Sequence, residues 1–251
     1  MTLSVCMIAR DEQQFLGACL ESVAALADEI VLGVDNRTTD HTLDIAREYG
    51  ARCFAFAWQD SFAQARNLGL DRARGDWVLV IDPDERLLDE GRAQIRHTLD
   101  GPIPPVVDGF LTLIVEEALD GRELSQAWSS SRLFRSAPDL RYVGRIHEEV
   151  RFLPDPPRTW TERLAGGPHI VSLGSDPILK DERHKRARDL RLLGLRLEDN
   201  PRDAVALCYL ALMARADGRL DDATRYAKAA LECGPRTLHE DRRAQLADLL
   251  R

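Results

Sequence analysis

Nowhere does this 251-residue chain string together the roughly 20 apolar residues that a membrane-crossing helix requires. Its first residues, MTLSVCMIARDE, meet charge directly after a short apolar run, so no secretory leader is expected. The five cysteines, Cys6, Cys19, Cys53, Cys208 and Cys233, are odd in number and show neither CxxC spacing nor a histidine in zinc register. They read as reduced, packed thiols of a cytoplasmic protein. A positive surplus is also missing: 34 Lys and Arg face 42 Asp and Glu, a net charge of −8, which gives no electrostatic reason to expect nucleic acid or an anionic membrane as partner. Two phosphate-binding signatures are absent as well. No GxGxxG follows the first apolar run, and GxxxxGK[ST] occurs nowhere, so neither a dinucleotide fold nor a P-loop is expected to hold a diphosphate.

What is present alternates. LSVCMIA (3–9), EIVLGVD (29–35), CFAFAW (53–58) and DWVLVID (76–82) read as strands. Between them QQFLGACLESVAAL (13–26), TLDIAREYG (42–50) and FAQARNLGLDRA (62–73) carry helical periodicity. This spacing implies right-handed crossovers and a parallel sheet with covered faces, so residues 1–100 are expected to form a nucleotide-binding α/β half. The proline-rich GPIPPVVDG (101–109) breaks the pattern. GFLTLIV (109–115), AWSSSRLFR (127–135) and LRYVGRIHEEVRF (140–152) then read as strands without intervening helices, an antiparallel or mixed continuation of the same sheet. With the loop-like PDPPRTWTERLAGGP (154–168), they are expected to supply the acceptor half, 101–178, of a catalytic domain spanning 1–178.

Residues 179–251 are expected to be helical. KDERHKRARDLRLLGLRLEDNP (180–201) has leucines at helical spacing, and YLAL, GRLDDA and ALECGP match about one 34-residue tetratricopeptide-like repeat. One repeat cannot bury both faces, so it is expected to stack on the preceding helix, on the catalytic domain or, as a homodimer, on a second subunit.

In open α/β sheets ligands sit outside the carboxyl ends of the parallel strands. Strand one here ends at Arg10, Asp11 and Glu12, strand two at Asp35, Asn36 and Arg37, and strand four at Asp82, Pro83 and Asp84. A carboxylate at an early strand end suits ribose hydroxyls or a base edge, and Asp82 and Asp84 at i and i+2 suit a divalent cation shared with a diphosphate. Each feature has a plainer reading. Asp82 with Pro83 and Glu85 also looks like a helix cap, Asp35 like an Asx-turn, Arg10 to Glu12 like a solvated loop, and Arg66 and Asn67 like an exposed helix face.

The segments MIARDEQQFLGACLESV, DEIVLGVDNRTTDHTLDIAREYGA and FAQARNLGLDRARGDWVLVIDPDE, in that order, resemble the family 2 inverting glycosyltransferases of the GT-A fold. The chain is most similar to the bacterial branch with tetratricopeptide-like C-terminal helices, which includes the sublancin-type peptide glycosyltransferases. The resemblance covers about residues 3–180 and is dense over the first 90. It implies a GT-A fold with a mixed, mainly parallel central sheet, plus the helical tail. It also implies a metal-dependent inverting transfer of a hexose from a UDP-sugar, with Mg²⁺ or Mn²⁺, to a peptide Ser or Cys. Transfer to a surface glycan or lipid-linked sugar is the alternative within the class, and an inactive peptide-binding scaffold the alternative outside it. A nucleotidyltransferase would put a glycine-rich basic loop where ARDEQQ stands.

By this resemblance Arg10, Glu12 and Asp35 hold the nucleoside, Arg66 and Asn67 face the base or diphosphate, and Asp82 and Asp84 form the DxD pair at ribose and metal. RLFR (132–135) and GRIHEEV (144–150) match the part of the branch that lines the acceptor pocket. Two departures stand out. Asn36, Arg37 and Thr38 replace a small glycine-containing segment, and Ser172 stands where a histidine is common before Gly174, leaving His169 as the substitute third metal ligand. Single-step inversion needs a base and a stabiliser of the departing diphosphate. The recurring IHE motif makes Glu148 the base, His147 next, with Glu116 and Glu117 as rivals; a His–Glu pair that only orders the pocket is the plain alternative.

Overall fold

A computed structural model describes residues 1–124, 127–153, 161–174, 182–234, 238 and 240–251. The expected 178/179 boundary and residues 154–160 of the expected loop lie outside them. Contacts divide the chain into two compact units. One comprises Met1–Gln59, Ala63–Val143 and Glu149–Lys180, the other Asp60–Phe62, Gly144–Glu148 and Asp181–Arg251.

In the first unit β1 (Leu3–Ala9), β2 (Glu29–Asp35), β3 (Arg52–Phe56) and β4 (Trp77–Val80) alternate with α1 (Leu16–Ala24), α2 (Thr42–Glu48) and α3 (Phe62–Leu70). The strands pair in parallel, as the alternation predicts, and their order is β3-β2-β1-β4. Their two faces come from period-2 alternation. Leu3, Val5, Met7 and Ala9, with Trp77, Leu79 and Ile81, enter one apolar core, whereas Cys6, Val78 and Val80 enter another. α1 buries Leu16, Cys19, Leu20 and Val23, the i, i+3, i+4, i+7 stripe that lays a helix on a sheet.

Beyond β4 the chain forms β5 (Glu85–Leu87), α4 (Asp89–Asp100), β6 (Gly109–Glu116), β7 (Trp128–Arg135), β8 (Leu140–Val143), β9 (Glu149–Phe152), β10 (Thr161–Arg163) and β11 (Ile170–Ser172). The main sheet continues from β4 as β7-β6-β11-β5, with β10 also on β6. β4–β7, β7–β6 and β11–β5 are antiparallel, so the sheet is mixed.

Two expectations are corrected here. No helix starts at Asp82: Asp82–Asp84 is a turn into β5, because Glu85–Leu87 pairs with Ile170–Ser172, and α4 begins only at Asp89. Residues 140–152 are not one strand of the main sheet either. They form the separate hairpin β8–β9, because Gly144 (φ +95°) and His147 (φ +51°) adopt left-handed backbone that ends a strand. Tyr142, Val150 and Phe152 of the hairpin join the second core.

The second unit is helical: α5 (Glu182–Asp199), α6 (Ala204–Ala216), α7 (Leu220–Cys233) and α8 (Glu240–Leu249). The tetratricopeptide-like pair is α6 and α7, turned by Gly218 at φ +73°. Ala211, Ala227 and Ala230, with Cys208, are the small residues of their shared core, to which Leu238 and Leu246 are added. No helix among the described residues is long and apolar enough to cross a membrane.

Candidate active site

Because β2, β1 and β4 are neighbours, their carboxyl ends bring together three loops that are far apart in sequence. The loops after β1 and β2 are stitched by side chains. Asp11 accepts the Thr39 N–H at 2.8 Å, Glu12 N–H donates to Thr42 Oγ1 at 2.7 Å, and Asp40 accepts the Gln13 N–H at 2.9 Å. Arg10 is exposed and lies 3.4 Å from Asp11. Asp35 is 3% exposed and accepts from the Arg37 backbone N–H at 3.0 Å and from its Nε at 3.1 Å. Burial alone would raise the Asp35 pKa; the hydrogen bonds and charge of Arg37, with a contribution from Arg10, outweigh it and hold the carboxyl below its ordinary value. Arg37, one of the departures from the family pattern, is therefore the partner of the strand-two acid.

At the end of β4 the Asp82–Glu85 turn is closed from both sides. Glu85 N–H donates to Asp82 O at 2.9 Å, and Asp82 N–H donates to Glu85 Oε2 at 2.8 Å. The reciprocal bonding expected of a helix cap is thus present, but it closes a strand-to-strand turn. Arg66 of α3 donates to Asp82 Oδ1 at 2.8 Å. Arg132 of β7 donates to Asp82 Oδ2 at 3.3 Å and to Glu85 Oε1 at 2.8 Å. Burial pushes the Asp82 carboxyl up, but the Arg66 and Arg132 guanidiniums prevail and hold it well below the carboxylate range. Glu85 moves the other way: burial, reinforced by Asp82 against the pull of Arg132, pushes it up to about 7.

Asp84 is the second acid of the turn and adds to the charge that disfavours ionisation of Glu85. Its carboxylate lies beside Gly174, where a Cβ would fall 2.1 Å from Asp84 Oδ2, and Leu173 N–H donates to Asp84 O at 2.9 Å. A side chain at position 174 would occupy the space of the acid. Among the described residues no group of three or more His, Cys, Asp or Glu side chains is gathered for a metal. Mg²⁺ is commonly held by only one or two protein carboxylates, with substrate phosphates completing the shell. Asp82 and Asp84 are the two carboxylates of this turn, and both Asp82 oxygens accept from arginines.

The remaining predicted residues are placed differently. Asn67 faces the hairpin: its Nδ2 donates to Tyr142 O at 3.0 Å and its Oδ1 accepts the Tyr142 N–H at 2.9 Å. His169 is 1% exposed, with Nδ1 accepting the Leu113 N–H at 2.9 Å and Nε2 2.9 Å from Ala165 O, so both nitrogens are engaged by backbone. Glu116 ends β6 opposite Ser172, and Glu117 N–H donates to Ser172 O at 3.0 Å. His147 and Glu148 belong to the second unit, in the loop that joins β8 to β9. The His147 ring stacks on Tyr209 with centroids 3.3 Å apart and planes at 3°. Burial, then the charges of Arg196, Arg242 and Arg188, push its pKa down to about 3.

The family model described as glycosyl transferase family 2 matches residues 4–95, the stretch that carries all three strand-end loops. These residues belong to glycosyl transferase family 2. Over 236 residues the chain is 32% identical to a TPR repeat-containing protein of Synechococcus elongatus, covering 92% of this chain and 57% of that one. It is 25% identical over 219 residues to the SPbeta prophage-derived glycosyltransferase SunS of Bacillus subtilis, covering 80% of this chain and 47% of that one. The chain therefore spans about half the length of these curated relatives. Among solved structures, residues 1–349 of S. aureus TarS give a TM-score of 0.53 at 14% identity, covering 100% of this chain and 89% of that one. The mannosyltransferase PcManGT from Pyrobaculum calidifontis, in complex with GDP-Man and Mn²⁺, gives 0.50 at 15%, covering 98% and 78%. The fold is GT-A. Within the family 2 domain, the sequence shows Glu85 only as a cap residue and Arg37 only as a departure from the family pattern, not as the partner of Asp35. Arg132, outside that domain on β7, was visible only as part of RLFR. A charged residue just before the buried Leu133 and Phe134 is the signal that it lies against the sheet.

Proposed function

We propose that this chain is an inverting glycosyltransferase that moves a hexose from a UDP-sugar to an acceptor, with a divalent cation held at Asp84. The observation that carries this reading is the placement of Asp35 at the end of β2 and of Asp82 and Asp84 after β4, the two strands that flank β1 in a family 2 domain, without a glycine-rich phosphate loop. In support, TarS has been solved in complex with UDP-GlcNAc.

In this mechanism Asp35, buried and ionised, accepts hydrogen bonds from the nucleoside. Asp82 is held by Arg66 and Arg132, and its role is to fix the turn that presents Asp84. Bound there, Mg²⁺ or Mn²⁺ would supply positive charge to the leaving diphosphate. Glu148 takes the acceptor proton. His147 is a poor proton acceptor when stacked and depressed to about 3, so Glu148 is preferred to it as the base, with Glu116 and Glu117 as the rivals. For the acceptor, a peptide offering Ser or Cys is the reading supported by the tetratricopeptide-like pair; a thiol needs less help from a base than a hydroxyl does.

The test is UDP release from a panel of UDP-hexoses with Mn²⁺, comparing wild type with Asp84→Ala. UDP release that depends on Mn²⁺ and falls in Asp84→Ala is expected. No UDP binding and no release from any donor would remove the reading.

A further inference from the structure

Resting on that reading, we propose that the C-terminal helices hold the loop that carries the base, with Arg196 as the positioning residue for Glu148. Strands as short as β8 and β9 are ordinarily closed by a few residues that need no outside support. Here Gly144–Glu148 group with the helical unit and not with the strands they connect. Arg196 of α5 is 6% exposed; its Nη1 donates to Ile146 O at 2.6 Å and to His147 O at 3.3 Å. Its Nε donates to Asp203 Oδ2 at 2.6 Å, and the other oxygen of Asp203 caps α6 by accepting the Ala206 N–H at 2.9 Å. Loop, α5 and the start of α6 are therefore tied through one guanidinium.

Other contacts act in the same direction. Gly144 is left-handed, and a Cβ there would lie 2.5 Å from Arg196 Nη1, so glycine is needed both for its φ and for the approach of the arginine. Arg145 pairs with Asp199 of α5 through Nε at 2.5 Å and Nη2 at 3.0 Å, and its carbonyl accepts the Phe62 N–H at 2.8 Å. His147, itself left-handed, stacks on Tyr209 of α6, whose hydroxyl accepts from Arg242 of α8 at 3.2 Å. Strained backbone persists only where its surroundings over-determine it, and each of the residues immediately before Glu148 is so held. A base must sit within a fraction of an ångström of its productive position, which a loop achieves only on rigid support.

The test uses the full chain with Mn²⁺ and the UDP-hexose that wild type turns over, comparing wild type, Arg196→Ala, Arg196→Lys and Glu148→Gln. In Arg196→Ala the UDP affinity and donor KM should stay within about twofold, while kcat for UDP release falls on the order of 100-fold, the loss typical of a misplaced catalytic group. Amide exchange should accelerate at 144–148 and stay unchanged in β1, β2 and β4. Arg196→Lys should recover part of kcat, and Glu148→Gln should lose kcat with the loop still protected. If Arg196→Ala does not fold, Gly144→Ala tests the same clasp from the loop side with the same expectations. A wild-type kcat with an exposed loop, a loop that stays protected in Arg196→Ala, or an equal loss of UDP binding and kcat would each overturn the proposal. Failure of the glycosyltransferase reading is separately visible: wild type would release no UDP, whereas the exchange measurement would still report whether Arg196 holds the loop.

Discussion

Arg132 and Glu85 meet at 2.8 Å beneath the Asp82–Asp84 turn, joined from 47 residues apart. The Glu85 side chain is 4% exposed and that of Arg132 14%. The same guanidinium reaches Asp82, and the same carboxylate receives the Asp82 N–H. The acid pair thus rests on a charge cluster from three elements, since Arg66 of α3 completes it. Such a cluster is a poor source of net stability when intact, but removing one partner strands the others.

Arg132→Ala is accordingly expected to destabilise the first unit by about 3–5 kcal/mol, the range for a broken buried ion pair. Urea unfolding at pH 7 measures it. Glu85→Gln retains an acceptor for the Asp82 N–H and should be milder, about 1–2 kcal/mol. Equal losses for the two variants would show that the charge of Glu85 matters as much as its hydrogen bond.

Gly174→Ala places a methyl on the Asp84 carboxylate, 2.1 Å from Oδ2. The expected outcome is a folded protein with its Asp84 carboxylate displaced, hence weakened Mn²⁺-dependent UDP binding with little change in the thermal midpoint. Titration calorimetry with and without Mn²⁺ distinguishes this from general unfolding, which would lower both together.

Asn67→Ala removes two hydrogen bonds to Tyr142 and no contact with the acids. A stability loss of about 1–3 kcal/mol, measured by urea unfolding, is expected from leaving the Tyr142 backbone groups unsatisfied, with the UDP dissociation constant unchanged. A tenfold weaker UDP dissociation constant at unchanged stability would return Asn67 to the nucleotide site.

His147 gives the second unit an acid sensitivity. Its pKa is about 3 when folded, against 6.5 as the ordinary value, because burial and then Arg196, Arg242 and Arg188 disfavour the charged ring. The depressed folded value means that the unfolded chain binds the extra proton first. Stability is full above pH 6.5 and falls as pH drops from there towards 3, by up to about 1.4 kcal/mol per pH unit from this group. Denaturant midpoints at pH 7 and pH 5 should separate in wild type, and the gap should shrink in His147→Asn, in which the left-handed backbone is retained.

Much of the first unit was legible because its signals are local. Alternating apolar runs and helical stripes placed β1 to β4 and α1 to α3 and implied their parallel pairing. The acids at the strand ends followed from the same reading. The continuation was less legible, since a single apolar pattern over 140–152 does not reveal left-handed backbone at His147, which is not a glycine. The plainer helix-cap reading of Asp82 failed for a tertiary reason: Glu85–Leu87 gains strand partners in Ile170–Ser172, and cross-strand pairing overrides a weak local cap. His169 and Asn67 carried residue types suited to a metal or a nucleotide, yet their polar atoms went to backbone groups of distant strands.

By itself the sequence determined the α/β half, the tetratricopeptide-like pair and the family 2 strand-end acids, because periodicity and strand-end chemistry are written in neighbouring residues. Only the tertiary structure decided that Arg132 reaches Glu85, what closes the Asp82–Glu85 turn, and that Gly144–Glu148 is clasped by α5 and α6. Those outcomes depend on partners such as Arg196 and Ile146, 50 residues apart, whose meeting no local pattern specifies.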